Sequence, residues 1–266
     1  MEYLSKSIVY INSNNRISGT SSDFTIDVSS QVRYPNNYDR VALLAFSCPK
    51  SYYLINSTND TFTITETSGG LKTVTITHGN YSLSTMVTFL NTAINLVTAY
   101  TYVVTSSTST GKITFTVSGA TGNPVFDFSG SSSPYAILGF EQESYTMAAN
   151  VLTGVNVVNF QLTNTIQLMS DMAERSLLST IIPNTSDYAT IQYNEFNPGF
   201  VSKVCVRNNI SSCHFWLLDG TNGNSLDLNG LDFNFKFVIY KENSFFKSQL
   251  IKMRLEESLK SFDDLS

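Results

Sequence analysis

Charge is what this sequence has least of. Asp, Glu, Lys and Arg make up only 14% of its 266 residues, against about a quarter in ordinary soluble chains. The net charge of −5 and the absence of any basic stripe exclude nucleic acid as the main partner, because phosphate binding needs a positive field. Histidine is nearly missing: His78 and His214 are the two present, and neither sits in an H-E-x-x-H arrangement. Cysteine is scarce and odd in number, with Cys48, Cys205 and Cys213 far from C-x-x-C spacing, so neither a disulfide framework nor a zinc site is expected. The G-x-S-x-G, P-loop and G-x-G-x-x-G patterns are all absent. Long apolar runs are absent too: the longest, Val41 to Phe46, cannot cross a bilayer, which takes roughly 20 helical residues. The N-terminal MEYLSKSIVYINS lacks a charged n-region, an apolar core and a cleavage pattern, so synthesis in the cytosol is the expectation.

The remaining candidates for chemistry are weak. Cys213 and His214 are neighbours in an apparent strand and would point to opposite faces, which prevents a thiolate–imidazole pair. The oxygen-rich loop Asp219 to Asp232 could suit Ca²⁺ but lacks the EF-hand order, and its Asn-Gly pairs are what a turn requires. Tyr52 and Tyr53 could stack on sugars, although core and interface packing is the commoner fate of such residues. The expectation is a protein that is not an enzyme, with no catalytic residues, no cofactor and no metal.

Ser, Thr and Asn take the place of the missing charge, which suits strand faces carrying hydroxyls and a surface that docks against protein. Short alternating segments dominate. Phe24, Ile26 and Val28 alternate with Asp23, Thr25 and Asp27, and Phe233, Phe235, Phe237 and Ile239 alternate with Asp232, Asn234, Lys236 and Val238. Val41 to Phe46 reads as a central strand covered on both faces and ended by Pro49, with turn chemistry at Tyr34-Pro-Asn-Asn leading into it. Further strands are predicted at Val155–Leu162, Thr165–Met169, Ser179–Ile182, Tyr188–Tyr193, Val201–Val206 and Cys213–Leu218.

Between these groups lies a different texture. Hairpin strands at Thr61–Thr65 and Lys72–Thr77 precede a helix marked by Leu83, Val87, Leu90, Ile94 and Val97, with Asn80, Ser82 and Ser84 as candidate N-caps. Strands at Tyr100–Thr105, Lys112–Ser118 and Val125–Phe128 follow, then an apolar knot at Tyr135–Phe140. Counting strands outside this α+β stretch favours a mainly β chain: one jelly-roll sandwich over 1–56 and 151–241, interrupted by an inserted α+β subdomain over 57–150. Residues 242–266 carry Ile251, Leu255, Leu259 and Phe262 as one stripe and are expected to form an amphipathic C-terminal helix or tail.

Six stretches, in order, carry a resemblance. They are Gly19-Thr-Ser-Ser-Asp-Phe-Thr-Ile26, the block from Val41 to Asn56, Gly79-Asn-Tyr-Ser82, Ile137-Leu-Gly-Phe140, Asn159-Phe-Gln-Leu-Thr-Asn164 and Ser225-Leu-Asp-Leu-Asn-Gly-Leu-Asp-Phe233. The chain in this respect resembles the minor capsid (penton) proteins of virophages and polinton-like viruses. The resemblance implies a jelly roll assembling as a homopentamer at the fivefold vertices of an icosahedral double-stranded DNA virus. It also implies partnership with a double jelly-roll major capsid protein and a place in the virion after assembly inside the host cell; contact of the insertion with a host receptor is a separate expectation. The alternative is a viral fibre or receptor-binding protein with a glycan-binding sandwich.

Overall fold

The computed structural model describes residues 3–32, 38–161, 165–207 and 209–242. The turn expected at Tyr34–Asn37 and the C-terminal helix expected beyond Glu242 lie outside them. The chain divides into two compact units, one made of Met1–Tyr52 with Thr163–Ser266 and the other of Tyr53–Leu162.

The first unit begins with β1 (Tyr3–Asn12), β2 (Ser18–Gly19), β3 (Asp23–Asp27) and β4 (Arg40–Pro49). The second unit holds β5 (Thr61–Glu66), β6 (Gly70–Thr75), helix α1 (Leu83–Val97), β7 (Thr101–Ser106), β8 (Ile113–Ser118) and β9 (Val125–Asp127). A one-turn helix α2 (Tyr135–Leu138), β10 (Ser144–Thr146) and β11 (Val151–Thr153) complete it. The chain then returns to the first unit as β12 (Ile166–Ser170), β13 (Leu177–Ile181), β14 (Thr190–Asn194), helix α3 (Pro198–Val201), β15 (Lys203–Val204), β16 (Ser212–Asp219) and β17 (Asn234–Glu242).

The first unit is a jelly roll. One sheet runs β1-β17-β4-β14, with β15 also on β4, and the other runs β13-β12-β16-β3-β2, all pairs antiparallel. Counted along the chain, the eight longer strands are ordered 1-8-3-6 in one sheet and 5-4-7-2 in the other, the double Greek key of a jelly roll. The two sheets are joined by rings. Phe233, Phe235 and Phe237 line one face of the β17 segment and meet Phe24 of β3 and Phe215 of β16, with Phe24–Phe233 at 5.7 Å and Phe215–Phe235 at 4.9 Å. Each buried ring contributes about 1.5–3 kcal/mol relative to exposure.

The unbroken run Val41–Phe46 has two causes. The β4–β17 register slips by one residue, so that Phe237 faces Leu43 while Lys236 faces Ala45. This bulge lets Val41 and Leu43 share the buried face with Phe46 and Cys48, although the two pairs differ in parity. On the opposite face Ala42 is also buried, clustered with Val238 and Tyr240. Pro49 does not end the hydrogen bonding, because the Lys50 N–H donates to Ala189 C=O at 2.8 Å. Lys50 and Cys48 turn their amides toward β14, so the N–H that proline lacks would face β17, whose pairing with β4 already stops at Ser47.

The second unit packs the sheets β10-β9-β5-β6 and β11-β8-β7 with α1 around an aromatic core. Phe126 lies 4.8 Å from Phe115, and Phe128 stacks on Phe140 at 4.6 Å. Helix α1 starts where its capping box dictates: Ser82 Oγ accepts from the Thr85 N–H and the Thr85 side chain reaches back to the Ser82 N–H. It buries Met86, Leu90 and Ile94.

Two expected strands are corrected. Val155–Leu162 forms no strand over its described residues. Its main chain docks instead through single bonds, Asn156 N–H to Gly139 C=O at 2.8 Å and Val158 N–H to Gly111 C=O at 3.0 Å, and Val158 and Phe160 pack on the core of the second unit. Gly139 permits this, with a left-handed φ of 81° and no Cβ to strike the Asn156 carbonyl. The second unit therefore runs to Leu162, and the return expected near Asn150 comes later. Val201–Val206 shortens to β15, because Pro198 opens a helical turn and only Lys203 and Val204 reach β4.

Candidate interaction surface

The singled-out reactive residues are either withdrawn into the core or occupied locally. Cys213 and His214 do face opposite ways: the thiol is buried against Met172, while the imidazole stacks on Trp216 at 4.7 Å and bonds Asp23 at 2.6 Å. Burial pushes the Cys48 and Cys213 thiols up to about 12 and raises that of Cys205. A thiol held protonated is a poor nucleophile. His78 bonds Asp60 in the second unit at 2.9 Å.

The 219–232 loop spends its oxygens on turns. Asp219, Asn222 and Asp227 accept from the N–H groups two residues ahead, and Asp232 receives Ser13 and Arg16. Among the described residues no three His, Cys, Asp or Glu side chains converge as metal ligands. Tyr52 is buried, with its hydroxyl held protonated by desolvation.

What the first unit offers is surface. From the end of β14 through β15 to Val206 the chain forms a strap whose large apolar side chains face outward: Phe196 is 88% exposed and Phe200 92%, with Val201, Val204 and Val206 also exposed. Exposed apolar groups concentrated in one segment mark protein-binding surface. The strap is not loose. Glu195 N–H donates to Leu44 C=O at 2.8 Å, and the Glu195 carboxylate accepts from Tyr193 Oη at 2.6 Å and from the Asn197 N–H at 2.7 Å. These bonds hold the Glu195 carboxyl below its ordinary range, the Tyr193 bond contributing most. Desolvation, followed by the Glu195 carboxylate, pushes the Tyr193 hydroxyl up to about 12, so it remains a donor. The aromatic rings are thus presented on a fixed backbone, which lowers the ordering penalty of association. The sequence shows the residues, Phe196-Asn-Pro-Gly-Phe200, but reads as a turn; only the accompanying Glu195 hints that the turn is pinned.

The sheet containing β1 and β14 carries a second feature, a shallow concavity of about 510 Å³ lined by Tyr10, Asn12, Gln192, Asn194 and Asn234, with Lys236 its one charged side chain. Tyr10 is 64% exposed. Its main chain is fixed at the sheet margin by Gln31, which accepts from the Tyr10 N–H at 2.7 Å and donates to the Tyr10 C=O at 3.0 Å.

No protein-family model and no curated protein sequence matches this chain. Among solved structures, the mavirus penton protein is similar over 88% of this chain and 99% of its own, at 11% identity and a TM-score of 0.43. A chain of the Sputnik virophage, determined by cryo-EM, is similar over 88% of this chain and 98% of its own, at 14% identity and a TM-score of 0.40.

Proposed function

We propose that this chain is a structural minor capsid protein, a penton, acting through assembly and not through catalysis. The observation that carries the reading is the outward-facing strap from Phe196 to Val206 on a jelly-roll edge, anchored by Glu195. Jelly rolls serve viral capsids and lectins, and a preorganised apolar strap on a weakly charged chain is interface chemistry. The sequence resemblance to penton proteins supplies the symmetry: a homopentamer at the fivefold vertex, in which each subunit joins its strap to a different, complementary surface of the next. In this reading the partner shell is a double jelly-roll major capsid protein, the site of action is the virion, and the second unit is the part that meets a host receptor.

Electron microscopy of the purified full chain tests the reading. Fivefold rings are expected, weakened by Phe196→Ser with Phe200→Ser. A protein that stays monomeric at high concentration and does not mark vertices in capsid images would sink it.

The concavity around Tyr10 favours a second reading. An exposed ring beside a cluster of carboxamides is a combination that stacks on and hydrogen-bonds neutral sugars. If the sandwich is a glycan receptor, saccharide binding is measurable and falls with Tyr10→Ala while the strap variants leave it unchanged.

A further inference from the structure

Helix α1 of the second unit lies beside two strands, β6 and β7, and treats them differently. On one flank Asn91 and Asn95 bond the β7 main chain at Val104 and Tyr102, each carboxamide both accepting and donating. The β7 margin is thereby closed as if by another strand. The opposite flank, carrying Phe89 and Leu96, faces β6 and leaves a groove of about 640 Å³, also lined by Thr73, Thr75, Thr88 and Thr92.

The β6 margin is open. Among the described residues it is the last strand of its sheet and pairs with β5 alone. Ile76 N–H bonds Asp60 C=O on the β5 side, so by alternation Val74 and Lys72 also face β5 while the N–H and C=O of Thr73 and Thr75 face outward into the groove. Among the described residues nothing hydrogen-bonds those four groups. At Thr77 the outward C=O is taken by the Tyr81 hydroxyl at 2.7 Å, which closes one end.

We propose that this groove receives an uncharged extended segment of a partner protein, added as a further strand on β6 and packed against α1. The outward amides at Thr73 and Thr75 call for a peptide main chain in the β conformation, the geometry of strand addition. The helix flank, with Phe89, Ala93 and Leu96, calls for apolar or β-branched side chains at every second position of that strand. No lining residue is charged, so an acidic or basic segment would lose hydration with no compensating ion pair. The groove does not depend on the pentamer: it is formed entirely within the second unit.

The test uses the full chain and a fluorescein-labelled, end-blocked Val-Thr-Val-Thr-Val peptide, a sequence this chain does not contain. Saturable binding, insensitive to added salt, is expected, with slowed amide exchange at Thr73 and Thr75. Thr75→Pro removes one outward donor without touching the β5 ladder, and it should weaken binding at least tenfold while Tm is kept. Methylating alternate backbone nitrogens of the peptide should do the same on the unaltered protein, which keeps the test independent of how the variant folds. Absence of saturable binding up to about 1 mM, or binding indifferent to both changes, overturns the proposal. Concentration-dependent self-association abolished by Thr75→Pro would also overturn it, assigning the groove to a second copy.

Discussion

The carboxamide of Asn91 holds the main chain of Val104 at both ends: its Oδ1 accepts from the Val104 N–H at 2.9 Å and its Nδ2 donates to the Val104 C=O at 2.8 Å. Its second N–H goes to the helix carbonyl of Val87. Asn95 repeats the arrangement at Tyr102, with its second N–H on Asn91 C=O. Asn91→Ala leaves a partly buried donor and acceptor without their partner and should cost about 1–3 kcal/mol. Asn91→Asp should cost more, since a carboxylate cannot donate to the Val104 carbonyl. Urea unfolding and amide exchange at Val104 measure both; exchange unchanged in Asn91→Ala would refute the role.

Gly139 sits where a side chain has no room. A Cβ there would lie 2.5 Å from the Asn156 carbonyl oxygen, at a φ of 81°. Gly139→Ala should destabilise the second unit by more than the roughly 1 kcal/mol that the same change can add where the backbone suits alanine. It should also loosen residues 155–160, read as faster amide exchange at Asn156 and Val158.

The strap separates assembly from stability. Phe196→Ser and Phe200→Ser remove exposed rings, so unfolding free energy should move by no more than about 0.5 kcal/mol. Sedimentation should nevertheless show weakened association. Glu195→Ala should weaken it as well by releasing the Asn197 N–H and Tyr193 hydroxyl, although it removes no apolar surface. A large loss of Tm in the phenylalanine variants would mean that these rings serve the fold.

The buried cysteines contribute to the alkaline limit, beside the desolvated tyrosines Tyr52, Tyr102 and Tyr193. Cys48 and Cys213 are pushed by burial from 9.0 to about 12, so the folded chain keeps protons that the unfolded chain releases. Their contribution is complete below about pH 9 and declines as pH rises toward 12, by about 1.4 kcal/mol per pH unit for each thiol. Denaturation midpoints against pH, compared with Cys48→Ala and Cys213→Ala, measure the slope. In the native chain at pH 8 both thiols should resist alkylation and react only on unfolding.

Much of the architecture is legible wherever one periodicity governs a segment. Asp23–Val28 and Phe233–Ile239 alternate with period two and become β3 and the β17 segment, and Ser82 stands before a 3.6-residue stripe and caps α1. Val158 and Phe160 also fall at alternate positions, yet the segment's partners are isolated carbonyls at Ile137 of α2, at Gly139 just past it and at Gly111, distant in sequence and invisible to local pattern. The β4 bulge is hidden for the same reason, since a slip in register belongs to two strands at once. The interaction features were harder to read. Asn91 and Asn95, four apart on a helix without charges, look like poor helix formers until β7 is beside them. Phe196 and Phe200 look like residues around a turn until Glu195 is seen to fix it.

The clamp of Gln31 on Tyr10 in one unit, and of Asn91 and Asn95 on β7 in the other, assigns to carboxamides a duty that exposed sheet margins commonly give to lysine. Lysine guards against fibril growth by repulsion, which concentrated electrolyte screens within a few ångströms. A carboxamide neither titrates nor is screened, because it guards by occupying the hydrogen bonds that an invading chain would need. These margins should therefore resist amyloid-type stacking equally in dilute buffer, brine and acid.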